Sequence, residues 1–400
     1  MQGRNSVQQT EPQENYQYDA TKRILAKQYE NAKLILGLIN GTLIPIAFSI
    51  ILLITGGSIQ LSRSLDSVTN IYWISLALYL AIFVLILQLV ATPLSFYSGF
   101  VVDHKFGLST QTSKAWFVDQ LKELGVELVF GILAGTILYY LIGNFTLWWV
   151  LAAVLFAIFS VFLSIILPFV ILPIFYKVTP LSDVKMKDAL LQMSRKFGVG
   201  NIDRVLVADE SKKSVRANAF FSGVGKSKSI VLFDTLLNNF TSREITTVVA
   251  HELGHYVNKD IWKEAVTSGL LMIPPFFIAD YALRFGVSAF SLSGMTDPAG
   301  VPLIFAALIG ISFILQPLYN GISRIVERKA DEFALRAAND ADAQASAEKR
   351  LADLSLGVDS PNRLVEVIFY SHPSSSRRVR LAEDWKKLHG DTAQASRSSG

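Results

Sequence analysis

Along the chain, runs of about 20 predominantly apolar residues, the length that carries a helix across a bilayer core, recur at 34–55, 71–91, 124–142, 147–171, 265–283 and 301–318. The third and fourth are separated by a few residues around Asn144, which predicts a tight helical hairpin. Elsewhere the periodicity changes. Leu181 to Phe197 repeats at helical spacing and stops at Gly198, Arg204 to Ala208 reads as a strand, and Ala217 to Ser222 with Ser229 to Phe233 read as two strands around Gly223 and Gly225. Residues 172–264 are therefore expected to contain a small α+β unit. An Ala-rich helical region is expected from about 328 to 356. Residues 1–20 are rich in Gln, Asn and Glu and lack an apolar run, so they read as a disordered tail and not a signal peptide; the last dozen residues are also expected to be disordered. There is no internal repeat.

Composition sharpens this picture. Of 400 residues, 51% are hydrophobic and 18% charged, with a mean hydropathy of +0.38, too apolar for an ordinary soluble protein. Arg4, Lys22, Arg23, Lys27 and Lys33 precede the first apolar run, and Lys105, Lys114 and Lys122 follow the second. The first loop carries only Arg63, and 286–300 carries no Lys or Arg. By the positive-inside rule both termini are expected to be cytoplasmic. The expected organisation is a cytoplasmic tail (1–33), four transmembrane helices (34–171), a cytoplasmic segment (172–264), a transmembrane hairpin (265–318) and a second cytoplasmic segment (319–400). This is an α-helical polytopic membrane protein with about six spans. The net charge of +4 follows that topology, so the expected partner is the lipid bilayer and not nucleic acid. Asn40, Gln88, Glu127, Asp280 and Gln316 lie within or at the ends of spans; such residues can line a wet pathway, but Glu127 and Asp280 are near enough to span ends to reach the interface.

Chemistry concentrates at His251-Glu252-Leu253-Gly254-His255, which holds two of the chain's five histidines. Four residues apart on a helix, the two imidazoles share a face and can bind one metal ion. Thr241 and Glu244 predict a capping box, and Ile245, Val248, Val249 and Leu253 an apolar stripe, so the motif sits on a well-signalled helix. H-E-x-x-H is the pattern of zinc proteases, with Glu252 as general base for a water on the metal. With no cysteine in the chain, the ligands must be nitrogen and oxygen, which suits one Zn²⁺.

A third ligand is expected from an acidic residue or histidine on a helix that returns to the same membrane face. Glu327 answers this in Ser323-Arg324-Ile325-Val326-Glu327-Arg328-Lys329-Ala330-Asp331, with Asp331 one turn on and able to orient a ligand histidine. The competing reading is a solvated charged helix. Both His255 and Glu327 are within about 15 Å of the last two apolar runs at helical rise, which places the metal near the bilayer surface.

Together, His-Glu-Leu-Gly-His at 251–255 and Ser-Arg-x-x-Glu-x-x-Ala-Asp at 323–331 resemble the integral-membrane zinc metalloproteases of the CAAX prenyl endopeptidase type, related to the HtpX-like membrane proteases. Asp103-His104-Lys105-Phe106-Gly107-Leu108-Ser109, the stretch from Pro173 to Leu181 and Asn218-Ala219-Phe220-Phe221-Ser222-Gly223 also resemble the prenyl-protease branch. The resemblance implies a gluzincin-like cytoplasmic protease domain, with His251, His255 and Glu327 as ligands, Glu252 as base and Asp331 behind a ligand. It further implies that Asn218, Ala219 and Phe220 hold the substrate backbone by edge pairing, and that His372, with Arg378, stabilises the oxyanion. Ser374 follows Pro373 where the family's motif reads His-Pro-Pro, so a less fixed backbone is expected there. Six spans are counted where the eukaryotic enzymes have seven around a large chamber.

The leading expectation is a membrane zinc endopeptidase acting on a peptide or protein substrate, prenylated or otherwise membrane-associated, with a bacterial inner membrane favoured over the endoplasmic reticulum. A broad quality-control protease is the alternative within the class. A transporter with an incidental histidine pair would call for matching interrupted spans, and only Pro274-Pro275 interrupts one.

Overall fold

The structure, a computed structural model, describes residues 12–200, 202–222 and 228–398. Six of its helices are long and apolar enough to cross a membrane, as the apolar runs predict. In chain order, α1 (Ala20–Ile54) is followed by the short α2 (Gly57–Val68). Then come α3 (Tyr72–Lys105), α4 (Ser113–Asn144) and α5 (Trp148–Ile166), the last two forming the hairpin expected around Asn144. After α6 (Val184–Lys196) and α7 (Ser242–Val257), the chain crosses again in α8 (Asp260–Ala289) and α9 (Pro298–Ala338). It ends with α10 (Ala341–Ser355), α11 (Arg363–Phe369) and α12 (Ser375–Ser398).

Most of the spanning helices outrun their apolar windows, because hydropathy marks only the part that contacts lipid. Their packed interior centres on Tyr79, Phe83, Tyr139, Trp148, Phe276 and Leu283. Asp280 is buried there: it accepts from Trp148 Nε1 at 2.8 Å and pairs with Arg284 Nε at 2.8 Å. Asn40 Nδ2 donates to Ser95 Oγ at 2.9 Å, joining α1 to α3.

An even number of crossings returns the chain to the side it began on, and contacts agree. Tyr16 N–H donates to Ser346 Oγ (2.6 Å) and its hydroxyl to Asp353 (2.8 Å), while Asp19 N–H donates to the same carboxylate (2.7 Å). Asp19 also caps α1 through Thr21 and Lys22 N–H. Residues 12–19 are thus held against α10, contrary to the expectation of a disordered tail; residues 1–11 lie outside the described residues. The expectation for the last dozen residues is corrected as far as Ser398, where α12 ends; residues 399–400 lie outside the described residues.

On that side lies the α+β unit. Four strands, β1 (Val178–Pro180), β2 (Ile202–Ala208), β3 (Ala219–Ser222) and β4 (Lys228–Phe233), form one sheet in the order β1-β2-β4-β3. β2 and β4 are parallel; β1 and β3 are antiparallel to their neighbours. The sequence reading lacks β1, a strand too short to alternate. The turn expected around Gly223 and Gly225 lies outside the described residues. Leu190, Ile202, Ile230, Leu232, Ile245, Val249 and Leu253 pack into one core that also takes in Phe333 of α9. The single helical region expected at 328–356 is two helices, broken where Asn339 takes a left-handed turn (φ 52°), a conformation asparagine tolerates.

Candidate metal centre and active site

The capping box expected at Thr241 and Glu244 opens α7. Glu244 does more, because its buried carboxylate also accepts from Ser346 Oγ (2.6 Å) and Arg350 Nε (3.2 Å) of α10. At the other end, Gly254 allows α9 to approach closely: a Cβ there would stand 3.2 Å from the Cα of Ala330 and 3.1 Å from Phe333. That approach sets Glu327 opposite the histidines.

One ligand atom from each of His251, His255 and Glu327 lies within 4.8 Å of the others. His251 Nε2 is 3.2 Å and His255 Nε2 3.6 Å from the Glu327 carboxylate. The two Nε2 atoms are 3.1 Å apart. Behind them, His251 Nδ1 is 2.8 Å from Asp331 Oδ1 and His255 Nδ1 is 3.1 Å from Asp260 Oδ2. With each Nδ1–H donated to a carboxylate, both Nε2 lone pairs point into one gap, where they repel unless a cation stands between them. Glu327 Oε2 is buried in the same gap without a hydrogen bond. Burial works against charge on His251, yet Asp331 and then Glu327 hold its pKa up to about 10; a cation would take the place of that proton. The donor set of two imidazoles and a carboxylate fits zinc.

Glu252, next to His251 on α7, is half-buried, and burial pushes its carboxyl above the ordinary carboxylate range. His372 faces the centre from the far side, its Nε2 3.3 Å from Glu327 Oε1 and its side chain 56% exposed. Ser371 Oγ, 2.9 Å from His372 Nδ1, can donate to it and leave Nε2–H as the donor that faces the centre.

Arg378 does not join His372 at the open face. Its side chain, 13% exposed, lies behind His251, with Nε 2.9 Å and Nη2 2.5 Å from Asp331 and Nη1 2.9 Å from Glu348. It therefore orients the carboxylate that orients a ligand. Ser374 also departs from expectation. Its buried N–H donates to Glu366 Oε1 at 3.2 Å, a bond a proline could not make, and its carbonyl accepts from Arg377 and Arg378 N–H at the start of α12.

Asn218, Ala219 and Phe220 stand at the edge of the sheet, along β3. Asn218 C=O accepts from Phe233 N–H, and antiparallel alternation then turns the backbone groups of Ala219 and Phe221 to the free edge. Asn218 Oδ1 accepts from Ala219 N–H at 2.8 Å. The run into β3 is pinned by Arg216, which bonds Asp103 (3.2 Å) and the Tyr29 hydroxyl (2.6 Å), giving the 103–109 motif a structural part.

Sequence reasoning did not find Asp260, Glu348, Ser371 or Glu366. Only Asp260 had a local signal, a carboxylate five residues beyond His255.

Residues 180–386 match the family model described as peptidase family M48, and residues 5–177 match that of the CAAX prenyl protease N-terminal region with five membrane helices. The uncharacterized metalloprotease YhfN of Bacillus subtilis is 30% identical over 364 residues, covering 90% of this chain and 85% of that protein. CAAX prenyl protease 1 of Saccharomyces cerevisiae is 32% identical over 316 residues, covering 73% of this chain and 68% of that protein. The crystal structure of S. mikatae Ste24p shares the fold with a TM-score of 0.77 at 25% identity, over 90% of this chain and 88% of that one.

Proposed function

Because the chain belongs to peptidase family M48, we propose that it is a zinc endopeptidase that cuts prenylated CAAX-type proteins near the membrane surface, with both termini and the catalytic face in the cytoplasm. The observation that carries this reading is the pair of Nε2 atoms 3.1 Å apart, each imidazole backed by a carboxylate and faced by Glu327. His251, His255 and Glu327 would hold one zinc ion. When bound, zinc supplies a Lewis acid that acidifies water and polarises a carbonyl. Glu252 takes the proton from the attacking water and passes it to the leaving amine, a role its raised pKa suits. His372 Nε2–H donates to the oxygen of the reacting carbonyl as charge develops there. Arg378 and Asp331 keep His251 in the tautomer that presents Nε2. The free edge of β3 takes the substrate as an added strand, which reads backbone and tolerates sequence.

Substrate anchoring adds to this. A catalytic centre close to the bilayer meets any membrane-bound chain at high local concentration, and an isoprenoid contributes about 0.8 kcal/mol of membrane affinity per buried CH₂. The prenyl group is then chiefly an anchor. The test is metal analysis of purified protein followed by cleavage assays in liposomes, comparing a farnesylated C-terminal peptide with the same peptide tethered by another lipid. Zinc near one per chain, cleavage of the first and slower cleavage of the second are expected. No cleavage of the tethered peptide would mean that the prenyl group is read directly. Equal rates would favour the quality-control reading, and a zinc-loaded protein that cuts neither peptide would overturn the proposal.

A further inference from the structure

Four side chains on α9, Asn320, Arg324, Glu327 and Asp331, follow one another at spacings of four, three and four residues and so share one helical stripe. The last two belong to the metal centre. The first two reach the C-terminal end of α11, where Glu366 C=O also accepts from Tyr370 N–H at 3.2 Å. Asn320 Nδ2 donates to Ile368 C=O at 2.6 Å; Arg324 Nη1 donates to Glu366 C=O at 3.0 Å and to Tyr370 C=O at 2.5 Å. A guanidinium at this end of a helix also answers its negative pole. Tyr370 is two residues before His372, and its hydroxyl bonds Glu30 of α1. On the far side of His372, Ser374 N–H is held by Glu366, which stands on the same short helix. The loop bearing His372 is thus fixed at both ends to α11, and α11 is fixed to α9.

From this arrangement we propose that Arg324, with Asn320, is a positioning residue for His372. It sets His372 at the correct distance from the centre that Glu327 helps to form, because one rigid helix carries both the clamp and the ligand. This rests on the role assigned to His372 above. Arg324 touches neither substrate nor metal, and its effect passes through the histidine.

A double-mutant cycle on the purified, zinc-loaded enzyme tests it. His372→Ala is expected to lower kcat by about 10²-fold, the scale of a lost oxyanion donor. Arg324→Gln is expected to lower kcat by about tenfold with KM and zinc content unchanged, as a shifted donor loses part of that effect, and Arg324→Lys to recover most of the loss. In the His372→Ala background, Arg324→Gln should cost nothing further. A further loss there, or loss of zinc, or full kcat in Arg324→Gln, overturns the positioning role alone. Full kcat in His372→Ala overturns the role of His372 and the positioning with it. A second measurement needs no turnover. Since the chain has no native cysteine, a nitroxide on Leu364→Cys, an exposed position on α11, should gain mobility in Arg324→Gln and, to a lesser degree, in Asn320→Ala. Unchanged spectra would sink the clamp.

Discussion

Asp260 Oδ2 lies 3.1 Å from Nδ1 of His255 even though the helix that carries the histidine ends between them. The chain manages this by turning through Lys259 in a left-handed conformation (φ 57°), so that the first residue of α8 folds back on the last turn of α7. A ligand imidazole and the start of a membrane span are therefore one assembly. Asp260→Ala should weaken zinc binding by about 10- to 100-fold, the usual effect of losing such a partner. Asp331→Ala should weaken it at least as much and also destabilise the fold by about 3–5 kcal/mol, because Arg378 is left largely buried without that carboxylate. Chelator competition and thermal unfolding of both variants measure this; equal unfolding temperatures would contradict the second half.

Glu252 and Glu327 should separate cleanly. Glu252→Gln is expected to keep zinc and lose about 10²- to 10⁴-fold in kcat, the range of a general base. Glu327→Ala removes one of the three proposed protein ligands and should lose metal and activity together. Zinc content per chain, read beside turnover, tells them apart, and a Glu327→Ala protein that binds zinc like its parent would point to another ligand.

Ser371 should matter through a proton. By donating to His372 Nδ1 it fixes Nε2–H toward the reacting oxygen, and one such hydrogen bond is worth about 1 kcal/mol. Ser371→Ala should therefore lower kcat roughly fivefold at constant KM. No change in kcat would show that the tautomer is set elsewhere.

If substrate adds to β3, removing a backbone donor from its free edge should weaken the complex. Phe221→Pro, at the edge-facing donor that Asn218 does not occupy, is expected to lower kcat/KM about fivefold, chiefly through KM, with zinc retained. A depsipeptide substrate with an ester in place of the facing amide should lose a similar factor. Unaltered KM in both cases would place the peptide elsewhere.

Orientation can be read with single introduced cysteines. Arg63→Cys, exposed on α2, should react with an impermeant thiol reagent on intact cells, whereas Lys185→Cys, exposed on α6, should react only after lysis. The reverse pattern would put the catalytic face outside.

How far the sequence could be read depended on whether the signal was local. The six spans were legible because lipid demands a continuous apolar run, and the start of α7 because its cap is written in four residues. Glu327 and Asp331 were legible because helical spacing puts them on one face and the preceding hairpin returns them to the right side. Arg378 was misplaced because its partners, Asp331 and Glu348, lie tens of residues away. Ser374 looked like a loosened proline site because Glu366, which fixes it, is visible only after α11 and α12 have packed. Residues 12–19 read as unstructured for the same reason: their polar groups are satisfied by Ser346 and Asp353 near the other end of the chain.

That last contact has a consequence in time. Tyr16 and Asp19 can dock only when Asp353 exists, and His372 and Arg378 are made more than a hundred residues after His255. At roughly 5–20 residues per second, translation leaves on the order of ten seconds between His255 and the pair His372 and Arg378. For the earlier part of that interval neither Glu327 nor Asp331 has been made, and for the rest Asp331 waits for Arg378 and the centre for His372. The proposed catalytic groups can come together only after His372 and Arg378 have been made.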